Sequence, residues 1–489
     1  MTLPKPRLDY RAISENVAYK SHNAFNRKAP LPVGAIQSIE RLYLWQKELT
    51  RTLNAKRHAQ SVVGDIIRQA GKDEEARRDA LQRGKELKLI VSQLEDELAQ
   101  VDDKLFSLAS AVPNDTHPLT PLGPESAAVV LSTHGPDPIP SSPLRDHVSI
   151  CRDLGLLDLE AGAAVTGSSW YYLLHEAAML EMALTNYGLS IALDHGFTPV
   201  TTPDVVRSDI VRRCGFQPRD NADPPVAQMY HLSTTDLPSP SYPELVLSGT
   251  AEIPLAGMFA NKILSLADLP IKVVGLGRAF RAEAGARGTE TRGLYRVHQF
   301  TKLELFAVSR SAQSEKIMEE MQRVQIEIFS GLGFPFRCVE LAYPSVDVVW
   351  RRPAHGSASV LDMPSEELGA SAYRKYDIEA WMPGRGSWGE ISSLSNCTDY
   401  QARRLHIRHR PAPSSPPPAS TSLPFAHTLN GTAVAVPRLI VALLENGARL
   451  NDSGQVVGIN LPVALKPFWP QAYSREVVRF SGREVVQWV

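Results

Sequence analysis

The sequence predicts an α+β protein in which a long N-terminal helical hairpin precedes a larger domain of mixed strands and helices. Two successive heptad patterns indicate the hairpin. Two strand patterns joined by a Gly-rich, charged loop over residues 280–304 indicate strands in the larger domain. Because 489 residues can bury more than one core, we expect three parts. These are an N-terminal domain over residues 1–110, a Pro-, Ser- and Gly-rich linker over 111–145, and a second domain over 146–489.

The hairpin is predicted from residues that recur at steps of three and four. A first seam, with polar interruptions, begins at Ile39 and ends at Ala70, and a second runs from Ala80 to Leu108. Between them, residues 71–73 (Gly-Lys-Asp) provide a stop and a new helix N-cap. Two helices of about 34 residues, each roughly 50 Å long, therefore fold back on each other as an antiparallel coiled coil.

Charge is distributed unevenly along this hairpin. Residues 51–88 contain ten Arg or Lys and six acids, whereas residues 95–103 near the base of the second helix carry mainly acids. A basic distal half can attract a phosphate backbone. Most charged coiled-coil faces are simply solvated, however, and the hairpin taken alone fits a dimerisation rod equally well.

The bulk composition excludes several classes of protein. Hydrophobic residues make up 43% and charged residues 21% of the chain, as in an ordinary globular protein. No apolar run has the length of a membrane span. The net charge of −1 means that any nucleic-acid partner needs a local basic surface. Four widely separated cysteines without a CxxC pair argue against a disulfide framework or a zinc site and fit a reducing compartment.

Residues 280–304 contain the most informative group of side chains. Arg281 and Glu283 lie two apart on the first predicted strand, and Arg296, Phe300 and Glu304 are spaced by four on the second, so each set shares one face. Guanidinium groups suit phosphate and carboxylate, carboxylates suit an ammonium group, and a phenyl ring suits a flat base. Together they predict a site for a nucleoside triphosphate beside an amino acid.

These residues also carry a family resemblance. Residues 280–283 (Phe-Arg-Ala-Glu) followed by 292–300 (Arg-Gly-Leu-Tyr-Arg-Val-His-Gln-Phe) resemble motif 2 of class II aminoacyl-tRNA synthetases, in the form found in seryl-tRNA synthetases. Residues 376–404 and the motif 3-like segment 427–446 match the same family. The long helix that ends near Asp194, with the Pro-containing strand after it, is similar to motif 1.

The resemblance implies a role for each matching residue. Serine binding is implied for Thr250, Ala251, Glu252, Arg281, Glu304, Asn430 and Thr432. ATP binding is implied for Arg281, Ala282, Glu283, Arg296, Phe300, Glu390, Ile391, Ser392, Ser393 and Arg438. Arg281, Glu390 and Arg438 are the implied catalytic residues. His298 shares the strand face, and we interpret it as structural.

Within this scheme, Glu252 would hold the serine ammonium group and Arg281 would contact both the α-phosphate and the serine carboxylate. Phe300 would stack on adenine, and Glu390 with Ser393 would bind Mg²⁺ between phosphates. Thr250 and Glu252 are expected on one face of a strand. Strict alternation would place Glu390 and Ser393 on opposite faces, so a bulge is required between them.

The resemblance further implies an antiparallel sheet flanked by helices, a homodimer and serine–tRNA ligase activity. It implies that the helical arm binds the long variable arm of serine tRNA, that Mg²⁺ but no zinc is used, and that no membrane is involved. We expect a mitochondrial matrix location, with the cytoplasm as the alternative. A non-catalytic RNA-binding paralogue and an amino acid:carrier-protein ligase remain as alternative functions. Departures from the family occur at an insertion over residues 343–364 and a Pro/Ser-rich loop over 411–424.

Overall fold

A computed structural model describes eight segments of the chain: residues 3–69, 73–216, 228–233, 243–282, 292–338, 361–411, 422–470 and 485–489. Glu283, most of the predicted 343–364 insertion and most of the 411–424 loop lie outside them. The chain forms two compact units. One is Arg7–Pro113, and the other combines Met1–Pro6 with Asn114–Val489. Among the described residues, no helix combines the length and the apolar character needed to cross a bilayer.

The described residues of the smaller unit form four helices: α1 (Tyr10–Glu15), α2 (Val17–Asn26), α3 (Ala35–Gln69) and α4 (Glu74–Ser110). Helices α3 and α4 have 35 and 37 residues, which confirms the predicted hairpin. Buried residues on the two seams include Ile39, Leu53, Val91 and Leu105. One polar interruption of the seam is paired across the hairpin, since Gln46 Nε2 donates to Asp102 Oδ1 at 2.6 Å.

The larger unit contains eight further helices among its described residues. They are α5 (His147–Leu154), α6 (Leu159–Val165), α7 (His175–Asp194), α8 (Ser208–Arg213), α9 (Glu252–Met258), α10 (Ser314–Ser330), α11 (Tyr400–Leu405) and α12 (Val436–Gly447). The strands are β1 (Val129–Val130), β2 (Ser132–His134), β3 (Leu157–Asp158), β4 (Tyr172–Leu173), β5 (Thr198–Thr201), β6 (Val205–Arg207), β7 (Leu245–Leu247), β8 (Ile263–Leu264), β9 (Ile271–Phe280), β10 (Gln299–Ser309), β11 (Phe336–Cys338), β12 (Leu361–Asp362), β13 (Arg374–Met382), β14 (Ser387–Asn396), β15 (Arg408–His409), β16 (His427–Ala435), β17 (Ala448–Leu450), β18 (Val456–Leu461) and β19 (Val486–Trp488).

The main sheet has the order β1-β12-β13-β14-β16-β10-β9-β5, with β11 and β2 attached to it through β13. Its pairs are antiparallel except for β5 with β9. This arrangement, with helices packed on the sheet, confirms the predicted fold class. The helix α7 and strand β5 also follow the predicted order of a long helix and a Pro-containing strand.

The two faces of the central strand β10 pack against different parts of the larger unit. Leu303, Leu305 and Ala307 pack into the core formed with helices α7, α10 and α12. On the opposite face Phe306 joins a second apolar cluster with residues of α9 and α11. Because side chains alternate along a strand, the even-numbered residues that precede Phe306 lie on the face away from the main core. That face carries the candidate site.

One predicted element is wrong. Thr250 and Glu252 do not lie on a strand, because β7 ends at Leu247 and Glu252 is the first residue of α9. Residues 248–250 (Ser-Gly-Thr) form a turn in which Thr250 Oγ1 accepts the Glu252 N–H at 3.3 Å. Pro254 is compatible with the first helical turn, where its missing N–H leaves no backbone bond unmade.

Candidate active site

The candidate site is a cleft between β10, β14, β16 and the start of α12. Nine of the predicted residues line it: Arg281, Arg296, Phe300, Glu390, Ile391, Ser392, Ser393, Thr432 and Arg438. Tyr295 and Lys302 also line it and were not predicted. Arg281 follows β9, which ends at Phe280, and Arg296 precedes β10, which begins at Gln299, so the expected position of each on a strand is wrong.

Arg281 is held at the end of β9 by backbone and ring contacts. Its N–H donates to His298 O at 2.9 Å, and its Nε donates to Gly249 O at 3.3 Å. The guanidinium carbon lies 5.3 Å from the centre of the Phe300 ring, a cation–π distance. The cleft therefore presents a fixed guanidinium group directly above an aromatic ring.

His298 contacts the backbone of Arg281. The His298 Nδ1 lies 2.9 Å from Arg281 O, and since a carbonyl can only accept, Nδ1 carries the hydrogen. Its ring stacks on Trp170 with the centroids 5.7 Å apart, and Tyr230 OH lies 2.8 Å from Nδ1. These contacts fit the structural interpretation of His298.

Glu390 and Arg438 form the opposite side of the cleft. Arg438 Nη1 lies 3.1 Å from Glu390 Oε2 and donates to Glu390 O at 2.9 Å. Burial opposes ionisation of the Glu390 carboxyl, but the charges of Arg438, Lys375 and Arg281 outweigh that effect and lower its pKa to about 2. Glu390 is therefore a carboxylate at any physiological pH.

The predicted bulge is present in β14. Glu379 pairs with Glu390 and Ile378 pairs with Ser392, which leaves Ile391 as the extra residue. The bulge returns Ser393 to the face that carries Glu390, and both line the cleft. Ile391 and Ser392 are 1% and 2% exposed, and Ser392 Oγ donates to Thr432 O at 2.6 Å. Any contact of these two residues with a nucleotide would therefore come mainly from backbone atoms.

A buried charged subsite adjoins the cleft. Lys302 Nζ lies 2.8 Å from Glu304 Oε2 and donates to Thr250 Oγ1 at 3.3 Å. Glu304 stands opposite Thr432 across the β10–β16 pair. Lys302 lies midway between Phe300 and Glu304, so the period of two of a strand places it on the same face. The prediction missed it because it considered only residues spaced by four.

Glu252 approaches this subsite from the start of α9. Gln401 Nε2 donates to Glu252 Oε1 at 2.6 Å, and Thr428 Oγ1 donates to Gln401 Oε1 at 2.8 Å. Burial, with the nearby charge of Glu304, raises the pKa of Glu252 to about 7. Gln401 could not be predicted as a partner of Glu252, because the two residues are far apart in the chain.

The remaining predicted residues lie around the same region without lining the cleft. Ala251 is buried beside Glu252. Asn430 pairs with Phe306, on the same sheet face as Thr432, and donates to Cys397 Sγ at 3.4 Å. The Ala282 N–H donates to Gln228 O at 3.1 Å.

Comparison with known proteins places this site in a family. Residues 231–447 match the family model described as tRNA synthetase class II core domain (G, H, P, S and T). The serine–tRNA ligase of Treponema denticola is 38% identical over 464 residues, which are 94% of this chain and 98% of the relative. The chain belongs to the serine–tRNA ligase family. The mitochondrial serine–tRNA ligase of Saccharomyces cerevisiae is likewise 38% identical, over 91% of each chain.

A solved structure of the serine–tRNA ligase family has the same fold. The seryl-tRNA synthetase from Pyrococcus horikoshii, complexed with ATP, superposes with a TM-score of 0.76 at 31% identity. The match covers 94% of this chain and 97% of that one. The family resemblance read from the motif residues is thus confirmed over nearly the whole chain, including the helical arm.

Proposed function

We propose that this chain activates L-serine with ATP, forming seryl-adenylate and pyrophosphate, and then transfers serine to the 3′-terminal adenosine of serine tRNA. The proposal rests on one observation: two groups of side chains with different chemistry lie next to each other at one cleft. One group is a pair of guanidinium groups, Arg281 and Arg438, suited to phosphates. The other is a buried acidic subsite containing Glu252 and Glu304, suited to an ammonium and a hydroxyl group.

Adenylate formation requires attack of the serine carboxylate on the α-phosphorus of ATP, with departure of pyrophosphate. Negative charge gathers on the phosphorus oxygens in the transition state. Arg281, held by the backbone of His298 and Gly249, supplies a fixed positive charge where it develops. Arg438 binds the γ-phosphate and Arg296 the outer phosphates. The protein thus acts by orientation and electrostatics rather than by a covalent step.

Serine selection would rest on the hydroxyl group. Glu304 accepts from the serine hydroxyl and Thr432 completes the small pocket, while Glu252 binds the ammonium group. A buried acceptor left unpaired by alanine disfavours that substrate strongly, whereas exclusion of threonine depends on pocket size.

The residues present fit Mg²⁺. Glu390 is ionised, and the bulge places the Ser393 hydroxyl on the same face, so two hard oxygen ligands face the cleft. When bound there, Mg²⁺ would neutralise charge on the ATP phosphates. Glu390 and Ser393 would hold it, and Arg438 keeps the Glu390 carboxylate oriented.

The decisive measurement is amino-acid-dependent ATP–pyrophosphate exchange with the purified protein and each of the twenty standard amino acids. We expect exchange with serine alone, and its loss in Arg281→Ala with the fold intact. Arg323→Ala, on the exposed side of α10, is the matched control and should keep full exchange. Exchange by Arg281→Ala near the wild-type rate would contradict the assignment, and no exchange with any amino acid would favour the non-catalytic paralogue.

We propose that residues 1–110 bind the long variable arm of serine tRNA, through the exposed basic residues of α4, and that residues 146–489 perform catalysis. Replacing Arg78, Arg83 and Lys85 together by Gln should weaken tRNA binding and lower the slope of log affinity against log salt by up to about three. Pyrophosphate exchange should stay unchanged, and Lys104→Gln at the acidic base of α4 is the control. An unaltered tRNA affinity would remove α4 from the interface.

We also propose a homodimer formed through α7 and β5 and a mitochondrial matrix location. Similarity to bacterial and to mitochondrial relatives is equal in identity, so the relatives support either a bacterial or an organellar setting. Sedimentation of the purified chain tests the dimer. Fluorescence localisation of the full-length chain in a eukaryotic cell tests the location, with cytoplasmic signal as the contrary result.

A further inference from the structure

A buried histidine outside the cleft joins two segments that line it. The side chains of His147 and Glu445 are 3% and 0% exposed, and His147 Nδ1 lies 2.8 Å from Glu445 Oε1. The Leu294 N–H donates to His147 Nε2 at 3.2 Å. Because Nε2 accepts a backbone hydrogen, the ring hydrogen must be on Nδ1, which donates to Glu445. The imidazole is therefore neutral and forms one bond in each direction.

The partners of this histidine are themselves fully engaged. Glu445 Oε1 also accepts the His147 N–H at 3.3 Å, and Glu445 Oε2 accepts the Gly384 N–H at 2.8 Å. Asp146 accepts from Ser149 and forms an ion pair with Arg292 at 3.0 Å. Asp146, His147 and Glu445 lie close enough to hold a cation. Both ring nitrogens are already occupied by hydrogen bonds, so this arrangement is a hydrogen-bonded clamp rather than a metal site.

The clamp reaches the cleft through the residue that follows Leu294. Tyr295 O accepts from Arg438 Nε at 3.4 Å, and the Tyr295 ring lies 4.9 Å from the Arg438 guanidinium carbon. Arg438 and Glu445 belong to the same helix, α12. His147 thus connects α12 to the 292–297 segment at one end, and the Arg438–Tyr295 contact connects them at the other.

Gly293 provides an independent indication of how closely the segment is held. A Cβ atom at this position would lie 2.2 Å from His147 Nε2, and the backbone has φ of +67°. Both the close approach and the positive φ favour glycine. The 292–297 segment is therefore packed directly against the imidazole ring.

We propose that His147 is a positioning residue for ATP binding. As the neutral Nδ1–H tautomer fixed by Glu445, it holds the 292–297 segment through the Leu294 N–H and so keeps Tyr295 against Arg438. This inference rests on the proposed function of the cleft. The serine subsite is held by bonds of its own, from Lys302 to Glu304 and Thr250 and from Gln401 to Glu252, so we expect the effect to be selective for ATP.

Two substitutions separate the two bonds of the imidazole. In His147→Asn the shorter side chain keeps a donor near Nδ1 for Glu445 but cannot reach Leu294. In His147→Gln the amide oxygen reaches the position of Nε2 and accepts the Leu294 N–H. We expect His147→Asn to raise the KM for ATP, or the ATP dissociation constant, by tenfold to a hundredfold, on the order of the cost of a small misplacement. His147→Gln should recover most of that loss.

The measurements are ATP–pyrophosphate exchange at varied ATP and at varied serine, with calorimetric binding of each ligand to the full-length chain. Serine affinity should stay within about twofold of wild type in both variants, a selectivity that general loss of structure does not produce. His22→Asn is the control, because His22 is exposed on α2, in the smaller unit, where its Nδ1 lies 3.5 Å from Asn26 Nδ2. This variant should bind both ATP and serine with wild-type affinity.

Equal loss of ATP and serine binding, no loss of either, or identical behaviour of the Asn and Gln variants would each overturn the inference. If His147→Asn does not fold, Gly293→Ala tests it from the opposite side, since the added Cβ displaces the same segment and should weaken ATP alone. Absence of exchange by the wild-type chain would count against the proposed function. The calorimetric ATP affinities of the variants would still decide the role of His147.

Discussion

Serine binding should depend on pH through Glu252. The pKa of this carboxyl is raised to about 7, first by burial and then by the charge of Glu304, while Gln401, Lys302 and Arg281 oppose the rise. Only the carboxylate form can neutralise the serine ammonium group. Since a raised pKa means that the group is protonated below that value, affinity for serine is lost as the pH falls through 7.

The magnitude follows from the titration curve. With a pKa of about 7, roughly one Glu252 carboxyl in ten is ionised at pH 6 and roughly three in four at pH 7.5. The dissociation constant of serine should therefore decrease about eightfold between these values. Binding should also release protons near pH 6, because the incoming ammonium group stabilises the carboxylate.

The assay is isothermal titration of serine into the protein between pH 6 and pH 7.5, repeated in two buffers of different ionisation enthalpy to count protons. Glu252→Gln is the control, and it should bind serine weakly with little change over this range. Glu304→Gln removes the negative charge beside Glu252. In this variant the midpoint of the pH dependence of serine affinity should therefore move to lower pH. A serine affinity that is flat from pH 6 to pH 7.5 in the wild type would refute this reasoning.

Three other predictions concern the groups around the subsite. Gln401→Leu removes the 2.6 Å donor to Glu252 and should weaken serine binding at pH 7 by about tenfold, measured by the same titration; unchanged affinity would argue against a positioning role. Lys302→Met leaves buried Glu304 without its cation and should destabilise the unit by roughly 3–5 kcal/mol, seen as a lower unfolding temperature that Lys302→Met/Glu304→Gln partly restores. Glu390→Gln should raise the Mg²⁺ concentration for half-maximal exchange at least about tenfold, and an unshifted Mg²⁺ dependence would exclude Glu390 as a ligand.

Features set by local spacing could be predicted from the sequence. The α3–α4 hairpin follows from a seam of period three and four, and its ends agree with the structure within a few residues. The bulge between Glu390 and Ser393 could be predicted because two side chains with one function must reach one face. In both cases the information lies within a short stretch of chain.

Features that depend on contacts between distant parts of the chain could not be predicted from the sequence. Thr250 and Glu252 fit an alternating strand pattern, but the Ser-Gly-Thr turn and packing against α11 give a helix start instead. Gln401 approaches Glu252 only because α11 packs on α9. A single sequence contains no signal for such a contact, since the two residues are joined by the fold and not by their spacing.

The charge balance of the subsite explains why the pKa of Glu252 is raised to about 7. Glu252 and Glu304 both lie near the Lys302 ammonium group, but their mutual repulsion and the poor solvation of the site oppose ionising both. In the complex proposed above, the serine ammonium group would supply positive charge beside these carboxylates, and Arg281 would balance the serine carboxylate. Alanine would provide the same charges, so charge alone cannot select serine.

Selection of serine over alanine must then come from the serine hydroxyl group and the protein oxygen that accepts its hydrogen. Lys302 Nζ lies 2.8 Å from Glu304 Oε2 without the alignment of a hydrogen bond, and among the described residues this buried oxygen has no hydrogen-bond partner. A hydroxyl group placed there would gain a charge-assisted bond, whereas a methyl group would leave this carboxylate oxygen buried without a hydrogen bond. Under the proposed function, this oxygen would therefore distinguish serine from alanine by a larger factor than pocket size can distinguish serine from threonine.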